Sequence, residues 1–85
     1  MTGARMATGA RRREPGPATI AVGATARTVR EQRGWSVAEC AGRCGWSQST
    51  LSRLETGRLT MTVDQLVGLA LVLGCKPSRL LRGVS

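Results

Sequence analysis

Four glycines punctuate this chain into short helices: Gly34, Gly45, Gly57 and Gly74 each close a stretch whose apolar residues recur every three or four positions. Such spacing leaves room for brief helices joined by tight turns and for nothing longer. Two S/T-x-x-E/Q sequences, Ser36 with Glu39 and Thr62 with Gln65, mark helix starts in the same register. In each, the hydroxyl and the acid or amide reciprocally satisfy backbone amides that a first helical turn leaves free.

From Thr19 the apolar residues Val22, Ala26 and Val29 line one face of a first helix that stops at Gly34. A second, about residues 36–44, ends at Gly45. Ser47 caps a third, Q-S-T-L-S-R-L-E-T, in which Leu51 and Leu54 turn inward while Gln48, Ser49, Ser52 and Arg53 face elsewhere. A fourth carries Val63, Leu66, Leu69, Ala70 and Leu73 at helical spacing and forms the hydrophobic centre. Pro77 opens a last short segment whose Leu80, Leu81 and Val84 exceed what one small core needs. No β-hairpin signal interrupts the series, so an all-α, compact five-helix fold is expected.

With 85 residues the chain has room for a single domain, and with Tyr, Phe and His all absent its core must be aliphatic, flanked by Trp35 and Trp46. Lack of histidine removes the commonest general base and metal ligand, and no nucleophile has a base beside it, so an enzyme is not expected. Cys40, Cys44 and Cys75 are odd in number and lie in apolar stretches, which suits small buried thiols. Cys40 and Cys44 with a distant third cysteine fall short of a four-ligand site, so no metal and no cofactor is implied. Without a run near the ~20 apolar residues of a membrane span or a signal-peptide core, a cytoplasmic location and no membrane partner are expected.

Residues 1–18, M-T-G-A-R-M-A-T-G-A-R-R-R-E-P-G-P-A, have no apolar period and read as a flexible basic arm ahead of a domain at 19–85. The formal charge is +8, and 12 of the 13 basic residues are arginine. Arginine's planar fork matches phosphate and the edge of guanine, which favours a nucleic-acid partner.

Two short helices joined by the tight turn C-G-W-S, within a basic all-helical domain, outline a helix-turn-helix. The run from Val29 to Leu81 resembles the phage repressor and Cro-like, or XRE, family. The matching pieces are R-G-W-S before the second helix, A-x-R-C-G-W-S-Q-S-T-L-S-R-L-E-x-G through the third, and L-x-x-L-A-x-x-L-G into P-S-x-L-L. The resemblance covers about residues 19–82 and implies a five-helix repressor-like fold whose third helix enters the DNA major groove.

It further implies base contacts from Gln48, Ser49, Ser52 and Arg53. Their chemistry agrees, since Gln pairs with adenine, Arg with guanine, and Ser reads weakly while permitting close approach. Arg27, Arg43, Arg58 and the helix starts at Ser36 and Thr62 are candidates to clamp phosphates, with Thr50 structural or phosphate-facing. Val37 stands where the family often carries a phosphate-contacting glutamine, so that anchor is missing. Arg30, four after Ala26, and Glu55, four after Leu51, both flank core positions, and the family pairs an arginine and a glutamate at these places.

The expectation is a sequence-specific DNA-binding transcriptional regulator acting on a palindromic double-stranded operator as a homodimer, with Leu80, Leu81 and Val84 as the dimer patch and no small-molecule substrate. The alternative is a protein-interaction module such as an antitoxin, presenting Leu59, Met61 and the C-terminal leucines to a partner. Leu59 and Met61 lie in a loop that is usually polar in the family, and either a local contact or a partner surface accounts for them.

Overall fold

The computed structural model describes residues 16–82 and 84. Among the described residues five helices follow in order: α1 (Pro17–Gln32), α2 (Val37–Cys44), α3 (Gln48–Glu55), α4 (Val63–Leu73) and α5 (Pro77–Leu80). Among the described residues there is no strand. Gly34, Gly45, Gly57 and Gly74 all sit at φ between 72° and 76°, the left-handed conformation that ends a helix cheaply only at glycine. Both reciprocal capping boxes form, Ser36 with Glu39 at α2 and Thr62 with Gln65 at α4.

α1 begins at Pro17, two residues earlier than the apolar period suggested. Proline has no amide to leave unpaired at a first helical position, and its φ is already helical. The helix therefore takes up the end of the segment read as an arm; residues 1–15 of that arm lie outside the described residues.

The core is aliphatic. Val22, Ala26 and Val29 of α1, Cys40 and Ala41 of α2, Leu51 and Leu54 of α3, Leu69, Ala70 and Leu73 of α4 and Leu80 of α5 are all buried. Trp35, Val37, Trp46 and Leu66 pack against this centre while half-buried. Two expectations are corrected. Val63, counted as inward-facing, is 75% exposed, because it is the first residue of α4 and stands at the helix end, at the edge of the arc of Leu66, Leu69, Ala70 and Leu73. Leu80, counted in a dimer patch, is fully buried, because Pro77 starts a helix that turns it into the gap between α1 and α4.

α1 lies directly on the C-terminal end of α3, and Gly23 makes this possible. A Cβ there would overlap the Leu54 carbonyl oxygen and stand 3.0 Å from that of Glu55. Gly57 meets α1 from the other side, where Ile20 occupies the space a side chain would need. Burial at Gly23 thus sets the approach of two helices, while at Gly42 on α2 nothing lies within 4 Å of an added Cβ. Gly23→Ala is expected to lower stability by about 2–3 kcal/mol through backbone displacement. Gly42→Ala should raise it by roughly 0.5–1 kcal/mol, the ordinary gain of alanine in a helix. Urea unfolding of the two variants beside the parent checks both signs.

Candidate nucleic-acid interface

The α2–turn–α3 unit is built by local chemistry. Gly45 reverses the chain at φ 76°, and the Trp46 amide donates to the Ala41 carbonyl at 2.9 Å, closing α2. Ser47 then caps α3: its Oγ accepts the Thr50 amide at 3.1 Å and lies 2.9 Å from Thr50 Oγ1. Leu51 and Leu54 anchor α3 in the core. What remains outward on α3 is one polar face, and Gln48, Ser49, Ser52 and Arg53 are all exposed on it. Thr50 is half-buried at its margin with its hydroxyl occupied by Ser47.

This face is held at its angle by a buried ion pair. Arg30 of α1 grips Glu55 of α3 with two hydrogen bonds, Nε to Oε2 at 2.7 Å and Nη2 to Oε1 at 3.0 Å. Arg30 Nη1 donates to the Trp35 carbonyl at 2.7 Å, so one guanidinium ties together α1, the α1–α2 turn and the end of α3. The hydrogen bonds it donates to Glu55 raise the Arg30 pKa against the opposing effect of burial, and the arginine stays charged. Residue-level exposure of 7% for Arg30 and 8% for Glu55 makes this an interior pair. Arg33 adds a tie that the sequence did not suggest, donating from Nε to the Leu73 carbonyl at 2.8 Å and so fastening the end of α1 to the end of α4.

The residues suggested for phosphates are differently placed. Arg58 is exposed just beyond α3, where its amide donates to the Arg53 carbonyl at 2.8 Å. The Arg43 guanidinium lies over the Trp35 ring, 4.3 Å from its centroid, a stacking that steadies it on the outer side of α2. Arg27 is exposed but paired with Glu31 at 3.1 Å, which offsets its charge locally.

The helix starts at Ser36 and Thr62 are capped from within the chain. The Ser36 amide donates to Glu39 Oε1 at 2.8 Å and the Glu39 amide to Ser36 Oγ at 3.0 Å. At Thr62 and Gln65 the reciprocal bonds are 2.9 and 3.0 Å. Each box thus occupies the N-cap amide and the third helical amide of its start. Glu39 is moreover held below the usual carboxylate range by its bonds from Ser36, so a negative charge stands at that end of α2. By contrast, the first turn of α3 carries no acidic residue and leaves its positive end uncompensated.

The cysteines serve packing. Cys40 is buried and Cys44 half-buried on the inner side of α2, and among the described residues no three metal-ligating side chains cluster. Burial pushes the Cys40 thiol up and takes Cys44 to about 12. Both stay protonated at neutral pH and are poor nucleophiles.

Residues 21–82 match the model of a family described as a helix-turn-helix domain. No curated protein matches. Among solved structures, the clp gene regulator ClgR from Corynebacterium glutamicum is 30% identical, with 81% of this chain and 72% of that one covered and a TM-score of 0.75. A hypothetical transcription factor, NHTF from Neisseria, is 26% identical over 75% and 74% of the two chains, with a TM-score of 0.73. The DNA-binding domain of BldD is 27% identical over 75% and 93%, with a TM-score of 0.69. The chain belongs to the helix-turn-helix domain family, in the XRE-like form that its sequence resembles.

Removal of Glu55 strands a buried guanidinium, so Glu55→Ala is expected to cost about 3–5 kcal/mol. Asp64→Ala, at an exposed site with no ion pair among the described residues, should melt like the parent, and thermal unfolding of the two variants measures the contrast. The thiols predict a pH effect. Their folded pKa values lie above the ordinary thiol value of 9.0, so the associated stability is full below pH 9 and is lost as pH climbs toward 12. The urea midpoint should accordingly fall above pH 9, and Cys44→Ala should flatten that fall.

Proposed function

We propose that this protein is a sequence-specific DNA-binding transcription regulator that reads a palindromic operator as a homodimer through α3. The supporting observation is the outward face of α3. It presents Gln48, Ser49, Ser52 and Arg53 to solvent, is anchored beneath by Leu51 and Leu54, and is oriented by the Arg30–Glu55 pair. Donors and acceptors on a rigid helix of a basic chain suit base edges in a major groove, where Gln48 would meet adenine and Arg53 guanine. Arg58, and Arg43 on its Trp35 support, would neutralise phosphates and hold the register without choosing sequence. The exposed start of α3, free of acidic residues, admits a phosphate where α2 with Glu39 does not.

A dimer follows from the size of the reading face, since four side chains on a two-turn helix touch too few base pairs for selectivity alone. The family match and the similar structures, which are transcription regulators and a DNA-binding domain, support the DNA-binding part of this reading. A cytoplasmic location belongs to the same reading.

The test is selection of bound sequences from random duplex DNA, followed by affinity measurements on the selected duplex and on random duplex. Affinity for both should fall steeply with salt as counterions are released. Arg53→Ala is expected to lose about 1–3 kcal/mol on the selected duplex and to relax one position per half-site. Arg58→Ala should weaken both duplexes alike. Equal losses on both duplexes for Arg53→Ala would remove α3 as the reading element.

A further inference from the structure

Cys40 and Cys44 stand one turn apart on α2 and face the same way, Cys40 fully buried and Cys44 half-buried against one core. Packing uses their volume, but nothing in the core uses their sulfur. Each thiol is among the causes that shift the other's pKa, so the two sulfurs are neighbours. Side chains four apart on a helix have Cβ atoms about 5–6 Å apart, whereas a disulfide needs roughly 3.5–4.5 Å, so an intact α2 disfavours a direct S–S bond. An ion between the sulfurs suits the spacing better. Two metal–sulfur bonds of about 2.3 Å set in line span roughly 4.6 Å.

We infer that Cys40 and Cys44 form a two-thiolate site for a soft monovalent cation, copper(I), which staples one turn of α2. Coordination number selects the ion. Zinc takes four ligands, and among the described residues no three His, Cys, Asp or Glu side chains come together. Calcium and magnesium require oxygen ligands, which neither cysteine side chain supplies. Copper(I) is soft, prefers thiolate, and is satisfied by two of them in line.

Charge selects a monovalent ion over a divalent one. Copper(I) with two thiolates carries one negative charge. Around Cys40, Arg30 and Arg43 act as positive neighbours and Glu55 as a negative one, which leaves one net positive charge to balance it. A divalent ion on the same two thiolates would be neutral and leave that charge unanswered. Trp35 and Trp46 pack against the same core, while Cys44 at its edge gives the ion a way in. Uptake is an exchange. Both thiols are protonated at neutral pH, so two S–H bonds break, two Cu–S bonds form, and two protons leave to solvent for each Cu⁺ bound. The occupied site lies within the helix on which α3 packs, and it takes no residue from the outward face of α3.

Titration of the reduced full chain with copper(I), supplied as its acetonitrile complex under nitrogen and in competition with bathocuproine disulfonate, tests this. The parent should hold one ion per chain, release two protons for each, and melt at a higher temperature when loaded. Cys44→Ala, at a half-buried position, should bind at least about tenfold more weakly and melt alike with and without copper(I). Its melt without copper(I) reports whether it is folded, and Cys44→Ser, which keeps the size, takes its place if it is not. Cys75→Ala should bind like the parent, and zinc(II) should release no protons. A parent that yields all its copper(I) to the chelator overturns the assignment. Equal retention by Cys44→Ala, loss of binding in Cys75→Ala, one ion shared between two chains, or proton release by zinc(II) each does the same.

Discussion

Everything outward on α3 depends on a guanidinium that cannot be replaced by packing alone. Arg30 reaches from α1 to Glu55 with two short hydrogen bonds and to the Trp35 carbonyl with a third, and among the described residues no buried side-chain polar atom is left unpaired. Desolvating two charges offsets much of their attraction, so the pair contributes orientation more than net stability. An apolar contact at the same place would let α3 rotate or slide, whereas a bidentate arginine–carboxylate contact accepts one geometry. Gly23 is the partner of this arrangement. Only a residue without Cβ lets α1 lie against the Leu54 and Glu55 carbonyls, and that approach puts Arg30 within reach of Glu55.

With the angle set by that contact, the surface divides into regions of different chemistry. α3 offers hydrogen-bonding groups over a positive helix end, Arg58 and the stacked Arg43 flank it, and α4 turns a nearly uncharged apolar stripe outward on another side. The division is economical in a chain of 85 residues. The buried thiols of α2 belong to the core rather than to either surface, held neutral by the same desolvation that makes them good filler.

Local signals explain why so much of the architecture was readable in advance. Each helix of the α2–α4 series begins at Ser36, Ser47 or Thr62 and ends at or just before Gly45, Gly57 or Gly74, and these residues act through hydrogen bonds and φ angles spanning a few positions. Where the determinant was not local, the reading slipped. Val63 has the spacing of a core residue but stands at the helix end, at the edge of the buried arc, and Leu80 looks like spare surface until α1 and α4 close over it.

The sequence by itself determined the helices, the aliphatic core, the polar character of α3 and the family resemblance, because periodicity, caps and residue chemistry act over one or two turns. Tertiary structure alone decided that Gly23 is a contact point, that Arg33 fastens α1 to the end of α4, that Arg43 stacks on Trp35, and that α4 keeps an uncovered apolar side. These depend on which helices meet and at what distance. Sequence spacing shows that two residues share a helix face, but burial is a relation between faces, and it exists only once the helices are packed.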